Sequence, residues 1–107
     1  MKALHIHAGP AARQHIEQHG LKPHNVRLIP AAAGGPKGLI LTHLDRHLFG
    51  EWLTPSQHTV HLVGASIGAW RMAAATMPAP AKAFERLAQD WGDWLQRGCP
   101  IAEVRAL

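Results

Sequence analysis

The sequence predicts an α/β protein in which helices are layered on a mainly parallel sheet. Segments of β-forming residues alternate with segments that carry apolar residues at helical spacing, an order that favours parallel strands joined by crossover helices. Two glycine-rich stretches, residues 34–38 and 64–68, each lie where a predicted strand meets a predicted helix. The 107 residues suffice for a modest core, and we expect residues 1–107 to belong to a single domain.

The local patterns place strands and helices in alternation along most of the chain. Strands are predicted where aliphatic residues alternate or cluster, and helices where they recur every three or four positions. Glycine or proline is expected to end each predicted helix, at Gly20, Gly50, Pro78 and Gly98. The expected elements are a strand over 4–8, a helix over 10–19, a strand over 25–29, a helix over 39–48, a strand over 58–63, a helix from 67 to about 77 and a helix over 80–97.

Composition and charge exclude several classes of function. The net charge is +4, but lysine and arginine are spread from Lys2 to Arg105 without the cluster that nucleic-acid binding requires. The single cysteine, Cys99, cannot form an internal disulfide, which fits a reducing compartment. No signal peptide or membrane-spanning stretch is visible. We therefore expect a cytoplasmic protein that binds no nucleic acid, and the basic balance leaves open peripheral contact with a membrane surface.

The stretch from Val60 to Trp70 has the order of a nucleophile elbow. Aliphatic residues lead into Gly64-Ala65-Ser66-Ile67-Gly68, and an alanine-rich helical segment follows at once. Gly64 and Gly68 allow close approach of strand and helix backbones, and Ser66 falls at a helix N-terminus, where free amides favour negative charge. The alternative interpretation is an ordinary strand-to-helix turn in which the serine caps the helix.

A second glycine loop, Gly34-Gly35-Pro36-Lys37-Gly38, also connects a predicted strand with a predicted helix. Its consecutive amides can converge on one point, and Lys37 adds a positive charge. The phosphate-loop and dinucleotide-binding patterns both fail, because the glycine spacing is wrong and no Gly-Lys-Ser/Thr occurs. The remaining interpretations are a hole of backbone amides for an oxyanion and a tight turn with packing glycines.

The two glycine motifs, in this order, resemble those of the patatin-like phospholipases, which are serine acyl hydrolases that act on lipids. That family has a Gly-Gly-x-Arg/Lys-Gly oxyanion loop ahead of a Gly-x-Ser-x-Gly elbow. Shorter stretches, at 8–10, 44–49 and 66–71, resemble a bacterial branch of the family. The resemblance implies a lipid or ester substrate, with no cofactor or metal. It also implies Ser66 as catalytic residue, an elbow of Gly64, Ala65, Ile67 and Gly68, and an oxyanion loop of Gly34, Gly35, Lys37 and Gly38.

The resemblance further implies an aspartate that this chain does not supply. The family pairs its serine with an aspartate in a downstream Asp-Gly motif, and no Asp-Gly occurs here. Asp90 and Asp93 fall on the last predicted helix, where we expect them to be solvated. All nine histidines precede Ser66, which excludes the Ser–acid–His order of other hydrolases. We therefore expect the N-terminal part of an incomplete patatin-like domain, with its aspartate after residue 107.

Two other interpretations of the function remain open. A non-catalytic module would use the Gly34–Gly38 loop to bind an anionic headgroup, and a truncated remnant would have no activity. His43 and His47 lie four residues apart on a predicted helix, but no cysteine or carboxylate cluster completes a metal site around them.

Overall fold

A computed structural model describes residues 5–54 and 58–96 of the chain. It confirms a mixed helix and strand architecture that is compatible with a small α/β fold. The two loops predicted to carry the site each follow a strand of the same sheet. The regular elements within the described ranges are α1 (Pro10–His19), β1 (Leu28–Ala31), α2 (Thr42–His47), β2 (His61–Gly64), α3 (Ile67–Ala75) and α4 (Pro80–Gln96).

The strands β1 and β2 pair in parallel, and helical segments connect them. The register joins Leu28 to His61 at one end and Ala31 to Gly64 at the other. The face that contains Ala31 and Gly64 lies against α3, whereas the opposite face is exposed to solvent. Val63 on that open face is 57% exposed. The described sheet is therefore covered on one side only, by the helix that follows Ser66.

The buried core centres on α3 and its contact with α4. Ile67 and Met72 of α3 and Phe84 of α4 are buried, and Ile67 is only 1% exposed. The ring centroid of Phe84 lies 5.7 Å from that of Phe49, which follows α2 in the chain. Burying a side chain of this size stabilises a fold by about 1.5–3 kcal/mol. The residue directly after Ser66 is thus one of the best anchored in the described structure.

The first helix is confirmed, and the strand predicted before it is wrong. Helix α1 spans Pro10–His19, and the amide of Gly20, at φ +74°, donates to the carbonyl of Ile16 at 2.8 Å. Residues 5–9 form no strand; Ile6 is 59% exposed and has no ladder partner among the described residues. An alternating pattern becomes a strand only where a neighbour accepts its backbone hydrogen bonds. Leu4, which completed the pattern, lies outside the described residues.

Both remaining strands lie about three residues later than predicted at their starts. The segment before β1 is a single 3₁₀ turn, Pro23–Asn25, in which the Asn25 side chain accepts a hydrogen bond from the Lys22 amide at 2.9 Å. The ring Nε2 of His58 is hydrogen-bonded to the Val26 carbonyl at 2.7 Å, and both residues precede the paired part of β1 and β2. Side-chain hydrogen bonds to the backbone therefore replace strand pairing at these positions.

The helix predicted over 39–48 starts earlier and continues past Gly50. A 3₁₀ segment, Gly35–Leu41, leads into α2, and a π-helical turn, Leu48–Trp52, follows it. The Leu53 amide donates to the Leu48 carbonyl at 2.8 Å and closes that wider turn. Gly50 does not have a positive φ, so it does not act as the expected terminator.

The ends of the last two helices also differ from expectation. Helix α3 ends at Ala75, two residues before the expected Met77, and α4 extends to Gln96. Arg97 and the expected terminator Gly98 lie outside the described residues. Across the described ranges, no helix combines the length and apolar character needed to cross a bilayer.

Candidate active site

Ser66 occupies the turn between β2 and α3 in an unusual backbone conformation. Its φ is +54° and its ψ is −124°, and it is the one non-glycine residue with positive φ in the described ranges. Such a conformation costs about 1–3 kcal/mol and persists only where the surrounding structure imposes it. Ser66 is exposed and stands at the N-cap position of α3, yet its side chain makes no capping hydrogen bond. The alternative that the serine serves as an ordinary helix cap is therefore wrong.

Gly64 and Gly68 allow the turn to pack directly against the end of the sheet. A Cβ on Gly64 would lie 2.5 Å from the Ala69 amide nitrogen, and a Cβ on Gly68 would overlap the Ala31 carbonyl oxygen. The Ala65 amide donates to the same Ala31 carbonyl at 3.1 Å. Strand and helix thus approach at a distance that only glycine permits. This packing holds the backbone of Ser66 in its strained conformation.

The first turn of α3 leaves amide donors free beside Ser66. The Gly68 amide donates to the Ala65 carbonyl at 3.0 Å, and the Ala69 amide donates to the Ser66 carbonyl at 2.9 Å. The Ser66 and Ile67 amides have no recorded acceptor within the described part of the chain. Unpaired amides at a helix N-terminus are suited to a developing negative charge. The buried side chain of Ile67 fixes the position of its own amide.

The glycine loop after β1 begins the 3₁₀ segment at Gly35. Gly35 has φ +55°, in the left-handed region, whereas Gly34 before it is extended at φ −178°. Neither glycine has an atom within 4 Å of the place a Cβ would occupy. Gly35 is thus required for its backbone angle and not for space. Lys37 is exposed and forms no ion pair within residues 5–54 and 58–96.

The two loops meet at the carboxyl edge of the sheet. β1 and β2 end side by side at Ala31 and Gly64, so both loops leave the sheet at the same edge. A Cβ on Gly38 would lie 2.9 Å from Cγ2 of Ile67, which shows direct packing of the glycine loop on the residue after Ser66. The structure therefore brings the predicted oxyanion loop against the predicted elbow.

An ion pair that sequence reasoning missed links the helices behind the two loops. Arg71 of α3 donates from Nε to Asp45 Oδ2 at 2.7 Å and from Nη2 to Asp45 Oδ1 at 2.8 Å. Asp45, on α2, is 2% exposed. The hydrogen bonding that Arg71 donates to Asp45 and the negative charge of Asp45 raise the pKa of Arg71, and burial opposes that rise only in part. The sequence signal was the single charge of Arg71 within the otherwise apolar helix α3, since a buried charge requires a partner. The polar helix α2 gave no such signal for Asp45.

The other candidate residues lie apart from this arrangement. Asp90 is exposed on α4, 3.7 Å from Arg86, and Asp93 is exposed on the same helix, as expected. Nδ1 of His47 lies 3.3 Å from the Glu51 carboxylate. No group of three metal-ligating side chains occurs in the part of the chain that the structure describes.

A cavity of about 630 Å³ opens at the other end of the sheet. Its lining includes Val60 and Leu62 of the second strand region and Ala75 at the end of α3. Ser66 lies at the opposite end of both β2 and α3. The cavity therefore does not surround the serine. On α3 itself, Trp70 follows Ser66 by one turn and is 53% exposed.

Comparison with protein-family models, with curated proteins and with solved structures found no match to this chain. The functional interpretation therefore rests on the geometry of the two loops.

Proposed function

We propose that the chain is part of a serine lipid acyl hydrolase of the patatin-like type, with Ser66 as its nucleophile. The strained backbone of Ser66 is the observation that carries the proposal. Strained non-glycine residues cluster at active sites, where the surrounding packing compels them. Here Ser66 is exposed, makes no capping hydrogen bond and stands next to amides that have no acceptor among the described residues, so helix capping does not explain its conformation.

The chemistry is acyl transfer in two steps. The Ser66 Oγ attacks the ester carbonyl carbon, and the carbonyl electron pair moves to oxygen to give a tetrahedral oxyanion. The Ile67 amide and an amide of the Gly34–Gly35 loop hydrogen-bond to this oxyanion. The oxyanion collapses, the alcohol leaves with a proton, and water then hydrolyses the acyl-serine. The base that accepts the serine proton is the aspartate expected after residue 107.

A second candidate function is binding of an anionic headgroup without catalysis. Lys37 lies beside the glycine loop, is exposed and has no ion pair among the described residues, which favours this function. Under this alternative the backbone strain at Ser66 has no role. Lys37→Ala should then abolish binding to vesicles that contain an anionic phospholipid, whereas under the hydrolase proposal it should reduce turnover only slightly.

An active-site-directed fluorophosphonate tests the hydrolase proposal. The natural protein, with any sequence that its gene encodes after Leu107, is treated with the probe and the modified peptide is identified by mass spectrometry. We expect modification at Ser66, none in Ser66→Ala, and unchanged modification in Ser56→Ala, the chain's other serine. Only an activated serine reacts with such a probe. Absence of modification at Ser66 in the folded natural protein would reject the proposal.

A further inference from the structure

The geometry points to the Asp45–Arg71 ion pair as a positioning element that holds the glycine loop and the nucleophile turn in one arrangement. The structural part of this inference stands on the described contacts alone. Its consequence for catalysis rests on the proposed function. Neither residue is placed among the reacting groups; both act through the helices that carry them.

Each partner of the pair belongs to a helix that extends directly from one of the two loops. Asp45 lies on α2, which continues the 3₁₀ segment that starts at Gly35. Arg71 lies on α3, five residues after Ser66. The contact between Gly38 and Ile67 is one point of attachment between these segments, and the ion pair is a second. Two separated attachments fix the relative rotation of two helices as well as their distance.

The form of the pair fits a role in orientation better than one in stability. Its two parallel hydrogen bonds require a planar guanidinium, which lysine cannot supply. The Asp45 side chain is buried and the Arg71 side chain is 12% exposed, and the desolvation cost of such a pair offsets much of its attraction. The neighbouring pair between Arg46 and Glu85 is different: it joins α2 to α4, and both side chains are substantially exposed.

The site depends on this arrangement because its proposed donors belong to different segments. The Gly35 amide moves with α2 and the Ile67 amide moves with α3, and no backbone hydrogen bond is recorded between the two loops in the described ranges. A displacement of about 1 Å in such a site can lower the rate by about a hundredfold. Loss of the pair should therefore affect the site before it unfolds the protein.

The first test uses Arg71→Lys in the natural protein, with Arg46→Lys as the matched control. The readout is the nuclear Overhauser effect between the Gly38 Hα protons and the Ile67 γ2 methyl group, which needs no activity. We expect a loss of at least half of its intensity in Arg71→Lys and no change in Arg46→Lys. Equal intensity in both variants would overturn the inference.

A second variant keeps the test decisive if Arg71→Lys does not fold. The double variant Asp45→Leu with Arg71→Met replaces the pair by apolar side chains, a change that often leaves stability unchanged or raised. We expect a folded protein in which the same Overhauser effect is weakened. A folded double variant with the full effect would overturn the inference.

Reaction of Ser66 with the fluorophosphonate provides the catalytic readout. We expect it to slow at least tenfold in Arg71→Lys and in the double variant, and to stay unchanged in Arg46→Lys. Absence of reaction in the unmodified protein would reject the proposed hydrolase function, while the Overhauser effect would still decide the positioning role. Full reactivity in a variant that has lost the pair would overturn the positioning role.

Discussion

Replacement of Ser66 by glycine should stabilise the protein while it removes the nucleophile. Glycine adopts φ +54° without the steric cost that a Cβ imposes, so the substitution releases about 1–3 kcal/mol of backbone strain. The greater freedom of glycine in the unfolded chain takes back about 0.5–1 kcal/mol. The Ser66 side chain makes no capping bond that would be lost. The net gain in the free energy of unfolding is then between about 0 and 2.5 kcal/mol, with a central value of about 1.2 kcal/mol.

The comparison with Ser66→Ala separates strain from loss of the hydroxyl. Alanine keeps the Cβ and therefore the strain, so its free energy of unfolding should remain near that of the unsubstituted protein. Urea unfolding followed by circular dichroism measures the difference, and a slope of about 1 kcal/mol per M converts the central value into a midpoint shift of about 1.2 M. Ala73→Gly, on the exposed side of α3, is the control and should cost about 1 kcal/mol. A Ser66→Gly variant no more stable than Ser66→Ala would refute the assignment of strain to this residue.

Three further predictions concern Gly68 in the serine turn, Gly35 in the glycine loop and the base that the proposed mechanism requires. Gly68→Ala should destabilise the protein by about 3 kcal/mol or more, because its Cβ would overlap the Ala31 carbonyl oxygen. Gly92→Ala on α4, where a Cβ meets open space, should instead stabilise the protein by about 0.5–1 kcal/mol. Thermal melts compare the two variants, and equal effects would contradict the close approach of α3 to the sheet. Gly35→Ala should lower ester turnover about a hundredfold and Gly34→Ala much less, because only Gly35 has a positive φ. Equal kcat values for the two variants would show that the loop is a packing turn only. Under the proposed mechanism, residues 1–107 alone should hydrolyse p-nitrophenyl esters several powers of ten more slowly than a protein that also carries the expected Asp-Gly motif. Ser66-dependent turnover by residues 1–107 at the full rate would show that the base lies within them.

The sequence predicted the elbow better than the elements around it. The spacing of Gly64 and Gly68 around Ser66 depends on contacts within a few residues, so local chemistry determines it. The strand expected over 4–8 depended on a partner elsewhere in the chain, which no local pattern reveals. Gly50 matched the terminator pattern, yet the chain continues through it in a π-helical turn.

The positions of the two loops at the candidate site were predictable from the sequence, whereas the contacts between the segments that carry them were not. Both glycine loops follow strand ends, and parallel strands bring such ends together at one sheet edge. The Asp45–Arg71 pair joins residues 26 positions apart, and only the tertiary fold brings them into contact. The contact of Gly38 with Ile67 likewise joins two segments that are distant in the sequence. Residues that connect separate helices therefore need the structure.

The exposed indole of Trp70 gives the candidate site a nearby group whose fluorescence can be measured. Residues four apart at a helix start are neighbours, and the Trp70 amide donates to the Ser66 carbonyl at 3.3 Å. A group attached to Ser66 would start one helical turn from Trp70, a residue that is 53% exposed. Acylation of the serine should therefore shift the fluorescence emission of Trp70 and shield it from acrylamide quenching. The emission that is lost in a Trp70→Phe variant, which keeps Trp52, Trp91 and Trp94, would then follow occupancy of the site without a labelled substrate.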